Sequence, residues 1–127
     1  LVISIFTKKC STMGIKRFED IIVWQKAQDF SVNIYKFFGS NKDYSFRDQI
    51  TRASVSISNN IAEGFDRNTN PDFKRFLYFA IASNSEVRSM LYLAIRLNFI
   101  KEEKAKELIA NSNEIAKMIS GFIKSLK

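Results

Sequence analysis

The helical pattern is clearest in residues 45–64, which read SFRDQITRASVSISNNIAEG. Apolar residues recur there after four, three, four and four positions, at Phe46, Ile50, Ala53, Ile57 and Ile61. This spacing matches the 3.6-residue period of an α-helix that turns one face to a core. Ser45 and Asp48 form a capping-box-like pair that predicts the start of the helix, and Gly64 predicts its end.

The segments on either side of this helix have the same period. Residues 17–38 and 101–126 predict the first and fourth helices, with Gly39 as a left-handed cap after the first. The third helix is predicted to begin at Asn70-Pro71, with Asn as N-cap and Pro at the first helical position. It is predicted to end at Asn98, because Asn tolerates a left-handed cap almost as well as Gly.

Four helices with short connections predict an all-α fold, an antiparallel up-down-up-down four-helix bundle. The chain of 127 residues fits one domain. Met13-Gly14 resembles a natural start immediately before the periodic sequence. We therefore interpret residues 15–127 as the bundle domain and residues 1–14 as an extraneous or disordered N-terminal extension.

The composition argues against an enzyme. The sequence has no His, and its only Cys is Cys10, in the extension. Imidazole-based acid–base catalysis, zinc or iron–sulfur sites and a Cys nucleophile are therefore excluded, and we expect no metal and no cofactor. One Cys forms no disulfide framework, and no apolar segment is long enough to span a bilayer, so we expect a cytoplasmic protein with no membrane partner.

The chain is strongly basic. Twenty Lys and Arg against thirteen Asp and Glu give a net charge of +7. Such a surplus attracts polyanions, of which RNA and DNA are the commonest in the cytoplasm. The alternative is that +7 is the ordinary solubility charge of a small basic protein.

A polar stripe runs along the second helix beside its core stripe. Its members are Gln49, Arg52, Ser56, Asn60 and Glu63, and Arg67 continues it. One interpretation is a ridge that contacts phosphate or a partner, because Arg and small polar side chains suit that chemistry. The other is a hydrogen-bond network between helices or subunits, with Glu63 pairing Arg52 or Arg67. Both stay open at this point.

The second and third helices carry more apolar surface than one core stripe needs. The second helix has a further stripe of small residues, Thr51, Val55, Ser58 and Ala62, and the third has Phe79, Ala82, Met90 and Leu93 outside its core stripe. We predict an oligomer interface that includes Val55, Ala62, Phe79, Met90 and Leu93. The alternative is that these faces pack deeper within a monomer. Asn84, amid the apolar stripe of the third helix, is expected to fix helix register.

The sequence resembles a known family in five places. They are Gln49-x-x-Arg52-Ala53-x-x-Ser56-Ile57-x-x-Asn60-Ile61-Ala62-Glu63-Gly64, Phe18-Glu19-Asp20, Val23-Trp24-Gln25-x-Ala27, Asp72-Phe73 with Phe76-Leu77-x-x-Ala80, and Ser83 with Glu86. The combined pattern resembles the bacterial four-helix-bundle proteins encoded by intervening sequences in 23S ribosomal RNA genes. It departs at Ala82, where Gly is usual, and at Arg88, where an acidic residue is usual.

The resemblance implies a bundle that assembles as a homo-oligomeric ring, often a homopentamer, with a positively charged surface. A related group, the accessory protein of diversity-generating retroelements, is similarly ring-shaped and binds reverse transcriptase and nucleic acid. The family offers no catalytic residue to carry over.

Taken together, these patterns predict a non-enzymatic oligomer that binds RNA or DNA, with RNA favoured, mainly through backbone phosphates. The residues expected to contact nucleic acid are Arg52, Arg67, Lys74 and Arg75. The alternative function is a protein-binding adaptor or scaffold, for example an accessory factor for a reverse transcriptase or another nucleic-acid enzyme.

Overall fold

The computed structural model describes residues 14–126, which form four α-helices and no strand. The predicted extension falls almost entirely on residues 1–13, which lie outside the described part. A short 3₁₀ helix, Phe18–Asp20, precedes the four α-helices. The α-helices are α1 (Ile22–Phe38), α2 (Tyr44–Phe65), α3 (Asn70–Arg96) and α4 (Glu102–Ser125).

The helices pack as a four-helix bundle. Each helix contacts the next one along the chain, and α1 also contacts α4, so that the four surround one core. The predicted core stripe of α2, from Phe46 to Ile61, is buried at every position. Edge-to-face aromatic contacts close both ends of the core, with Phe46 against Phe99 at one end and Phe73 against Phe122 at the other.

Helices α1 and α2 begin differently from the prediction, α1 in its first residue and α2 in its capping residue. Helix α1 starts at Ile22 rather than near Arg17, because Ile21 adopts an extended backbone that buries its side chain in the core. The N-cap of α2 is Asp43, whose side chain accepts a hydrogen bond from the Phe46 N–H at 3.1 Å, so the predicted Ser45 cap is wrong.

In α3 the cap is Thr69, which accepts from the Asp72 N–H at 3.3 Å. The predicted cap, Asn70, is instead the first helical residue. Thr69 and Asp72 are three residues apart, which is the spacing of a Thr N-cap and the third helical position.

One of the two predicted left-handed caps is present. Asn98 has φ 58°, and the Phe99 N–H bonds to the Ala94 carbonyl while the Asn98 N–H bonds to Ile95, which is the Schellman pattern. Gly39 has φ −61° and stays in the right-handed helical region, so the predicted left-handed cap there is wrong.

Candidate functional site

Three members of the polar stripe on α2 are tied into hydrogen bonds that involve α2 and α3. Ser56 Oγ lies 2.9 Å from Ser83 Oγ, and the Gln49 amide donates to Glu86 Oε2 at 3.3 Å. The Asn60 amide donates to the Ser56 carbonyl at 2.8 Å and to its hydroxyl at 2.9 Å. For Gln49 and Ser56 the structure supports the interpretation as a network between helices, and Asn60 joins that network through Ser56.

The two charged members of the stripe behave differently. Arg52 and Glu63 are exposed, and neither forms an ion pair with any residue of the described range 14–126. Within one chain, Glu63 therefore forms no ion pair with Arg52 or Arg67, and a pairing of these residues between subunits stays a prediction. Arg52 instead lines an open polar groove of about 560 Å³ between α2 and α3, together with Gln49, Ser83 and Glu86.

Two of the four cations predicted to contact nucleic acid, Arg67 and Arg75, meet at Asp72, and Lys74 precedes Arg75 on the same helix. We call Arg67, Lys74 and Arg75 the basic cluster; they lie in the loop before α3 and in its first two turns. Arg52 does not belong to it, because the cluster lies beyond the end of α2. Thirteen helical residues separate Arg52 from that end, a distance of ~20 Å at about 1.5 Å per residue.

Asp72 organises the two arginines of the basic cluster. Its Oδ1 accepts from Arg75 Nε at 3.0 Å and from Arg75 Nη2 at 2.8 Å. Its Oδ2 lies 3.5 Å from Arg67 Nε. The cause is local, since the Thr69 cap fixes the first turn of α3 and Arg75 follows Asp72 by three residues, on the same face of the helix.

An aromatic ring supports both guanidinium groups. Arg67 Cζ lies 4.6 Å and Arg75 Cζ 4.8 Å from the centroid of Phe76, whose ring is buried beneath them. Stacking on an aromatic face orients a guanidinium and leaves the N–H groups at its edge able to bond. Both arginine side chains are about half exposed, which leaves them accessible to a ligand.

A second polar network lies inside the bundle. Fully buried Asn84 donates to the Ser112 carbonyl at 2.9 Å and accepts from the Ser112 hydroxyl at 2.9 Å. Arg88 donates to the same hydroxyl at 3.0 Å. Asn84 thus joins α3 to α4, in keeping with the expected role in register. The parts that Ser112 and Arg88 play in this network were not predicted from the sequence. The spacing of Asn84 and Arg88, one helical turn apart, is the signal that could have linked Arg88 to Asn84.

The five residues predicted for an oligomer interface differ in exposure. Phe79 and Leu93 are each 44% exposed on α3, whereas Val55 and Ala62 are half-buried on α2. Met90 is only 8% exposed and belongs to the core of the chain, so it offers little surface to another subunit. Thr51 and Ser58 of the small-residue stripe are also buried, since α2 packs there within the bundle.

Residues 14–126 were searched for clusters of metal-ligating side chains and for membrane-spanning helices. Within residues 14–126, no group of three His, Cys, Asp or Glu side chains is placed to hold a metal ion. None of the four helices combines the length and the apolar character that crossing a bilayer requires.

Comparisons with known proteins show which family the chain belongs to. The family model described as 23S rRNA-intervening sequence protein matches residues 19–121. The fold is similar to the crystal structure of a protein of unknown function from the S23 ribosomal protein family of Bacteroides thetaiotaomicron, with a TM-score of 0.76 and 32% sequence identity. That similarity covers 81% of this chain and 99% of the other. No curated protein matches the chain significantly. The matched residues reach from the 3₁₀ helix into the last turn and a half of α4, and the chain therefore belongs to the 23S rRNA-intervening sequence protein family.

Proposed function

We propose that this protein is a non-enzymatic, nucleic-acid-binding bundle that holds RNA mainly through backbone phosphates at the basic cluster. The observation that carries the proposal is the pair of guanidinium groups of Arg67 and Arg75, which share one carboxylate and one aromatic support. A carboxylate and a phosphate present oxygen atoms to guanidinium groups in similar geometry. The site is therefore already arranged for an oxyanion.

The charge balance of the site favours a ligand with many phosphates over a single anion. The basic cluster has three cations, and three carboxylates, Glu63, Asp66 and Asp72, lie within five residues of Arg67, so the local charges balance. A single phosphate must compete with Asp72 for the arginines. The binding of a polyanion is strengthened instead by the net charge of +7 over the whole chain and by the release of counterions from the polyanion.

We further propose that assembly multiplies this surface. In the homo-oligomeric ring that the family resemblance implies, with a pentamer as the expected size, each subunit adds one basic cluster. The exposed Leu93 side chain and the half-buried Val55 and Ala62 supply apolar surface for contacts between copies. The mass of the assembly in solution tests this part of the proposal.

The bundle is proposed to be antiparallel, with neighbouring helices running in opposite directions. Two hydrogen bonds between α1 and α2 support this, from Gln28 to Ser58 Oγ and from Ser31 to the Ser54 carbonyl. A later residue of α1 meets an earlier residue of α2, as expected for helices joined by a short turn. We place the protein in the bacterial cytoplasm, where RNA is abundant.

A protein-binding adaptor is the second candidate function. A groove of about 520 Å³ between α1 and α2 is lined by the side chains of Val32, Tyr35 and Val55, with Gln28 and Ser58 among its polar groups. Val32 and Tyr35 are exposed there, and an apolar groove of this kind suits a segment of a partner protein, such as a polymerase.

A salt titration of binding to fluorescent RNA tests the proposed function. Because phosphate contacts release counterions, log K should fall linearly with log salt, by about 0.7 per phosphate contacted on a single strand. Binding that persists near physiological salt with a steep slope is the expected result. Binding only at low salt would reject the nucleic-acid function and favour the adaptor.

A further inference from the structure

Two exposed aromatic side chains lie beside the basic cluster on α3. Phe79 is 44% and Tyr78 58% exposed, and they follow Arg75 by four and three residues. Side chains at these spacings share one face of a helix. Arg75 and the two rings therefore lie along one face of α3.

The ring of Phe79 is held in place next to a charge. It meets Phe76 edge to face, with centroids 5.6 Å apart and planes at 82°. The Cζ atom of Arg75 lies 5.5 Å from the Phe79 centroid. A fixed aromatic ring with an adjacent guanidinium matches one nucleotide, which has a flat base beside a phosphate.

Building on the proposed function, we propose that Phe79, with Tyr78 beside it, stacks unpaired bases while Arg67 and Arg75 bind the adjoining phosphates. The ligand class is therefore single-stranded nucleic acid. In a duplex each base face is covered by its neighbours, so a duplex can use the arginines but not the rings. Removal of one stacking ring typically weakens single-strand binding by about tenfold and leaves a purely phosphate-bound duplex unaffected.

The competing explanation is that Phe79 packs against another copy of the chain. Phe79→Leu separates the two, because Leu keeps most of the apolar volume for packing but has no π face for stacking. Phe79→Trp keeps the π face. Tyr92→Leu is the matched control, an exposed aromatic on the same helix with no cation placed over its ring in the described part of the chain.

The experiment measures fluorescence anisotropy at one salt concentration, with an unstructured single-stranded RNA and a duplex RNA as probes, and the mass of each variant by light scattering. We expect Phe79→Leu to weaken single-strand binding about tenfold with duplex binding and mass unchanged. Phe79→Trp and Tyr92→Leu should bind like wild type.

Three results would overturn the inference: equal losses for single strand and duplex, no loss for either, or a lower mass for Phe79→Leu. If wild type binds neither RNA, the proposed function itself fails. If wild type binds both RNAs and Phe79→Leu changes neither affinity, only the assignment of the stacking site fails.

Discussion

Gly64 of α2 lies so close to Phe76 of α3 that a Cβ atom on Gly64 would stand 2.5 Å from the Phe76 Cβ. The same Phe76 ring supports the guanidinium groups of Arg67 and Arg75. The close approach of two helices therefore sets the position of the ring on which the basic cluster rests. A glycine in the family signature thus connects the packing of the bundle to its candidate site.

Gly64→Ala is expected to destabilise the fold by about 1–3 kcal/mol, because the added methyl group would overlap Phe76 and approach the Phe73 ring. Gly121→Ala is the matched control. A Cβ there meets nothing within 4 Å, and replacing a helical Gly should stabilise by about 0.5–1 kcal/mol. Urea unfolding measures both. Equal changes of the same sign would contradict the tight contact.

Asp72→Asn is expected to tighten RNA binding by about fivefold, because it removes the carboxylate that competes with phosphate for both arginines of the cluster. Asp48→Asn removes the same charge from an exposed pair with Arg47, remote from the cluster. Anisotropy titrations compare the two. If the affinity for RNA rises equally in both variants, net charge alone explains the increase and Asp72 does not compete with phosphate.

Asn84→Ala is expected to lower the free energy of unfolding by about 2 kcal/mol or more, because it leaves the buried hydroxyl and carbonyl of Ser112 without the Asn84 amide. Asn113→Ala, on the exposed face of α4, should change stability by less than about 0.5 kcal/mol. Thermal unfolding with both variants checks this. Similar small changes in stability for the two variants would mean that the buried network contributes little to the stability of the fold.

Asn98→Gly and Asn98→Ala should change stability in opposite directions, because Asn98 has φ 58° after α3. Glycine adopts this conformation freely, so Asn98→Gly should raise the free energy of unfolding by a few tenths of a kcal/mol. Asn98→Ala should lower it by about 1 kcal/mol. The difference between their unfolding midpoints is the measurement. No difference would indicate that the Schellman turn does not contribute to stability.

Apolar periodicity predicted the elements of this fold well. The core stripe of α2 and the left-handed turn at Asn98 depend on local spacing and side-chain size, which a sequence displays directly. The caps at Asp43 and Thr69 were missed because several polar residues adjoin each helix start, and the sequence does not fix which of them has the non-helical backbone. Ile21 lies outside the helix because its side chain is buried in the core, which is a tertiary contact.

The candidate site was only partly predictable. Lys74 and Arg75 were identified from charge and Arg67 as the end of the polar stripe. The link that Asp72 makes between Arg67 and Arg75 was not predicted, although the spacing of Asp72 and Arg75 indicates the second contact. Arg52 was grouped with Arg67 by helical periodicity. A stripe that extends along a whole helix can contain residues ~20 Å apart, so sharing a face does not place two residues in one site.

The central claim is that Arg67 and Arg75 contact phosphates, and one comparison tests it most directly. The double variant Arg67→Ala/Arg75→Ala removes two charges from the cluster, and Lys104→Ala/Lys106→Ala removes two from exposed pairs on α4. Both are titrated with single-stranded RNA over a range of salt concentrations. We predict that the cluster variant binds more weakly and that its slope of log K against log salt is shallower by about 0.7 for each phosphate it no longer binds, while the α4 variant stays near wild type. Identical slopes for the two variants would contradict the account.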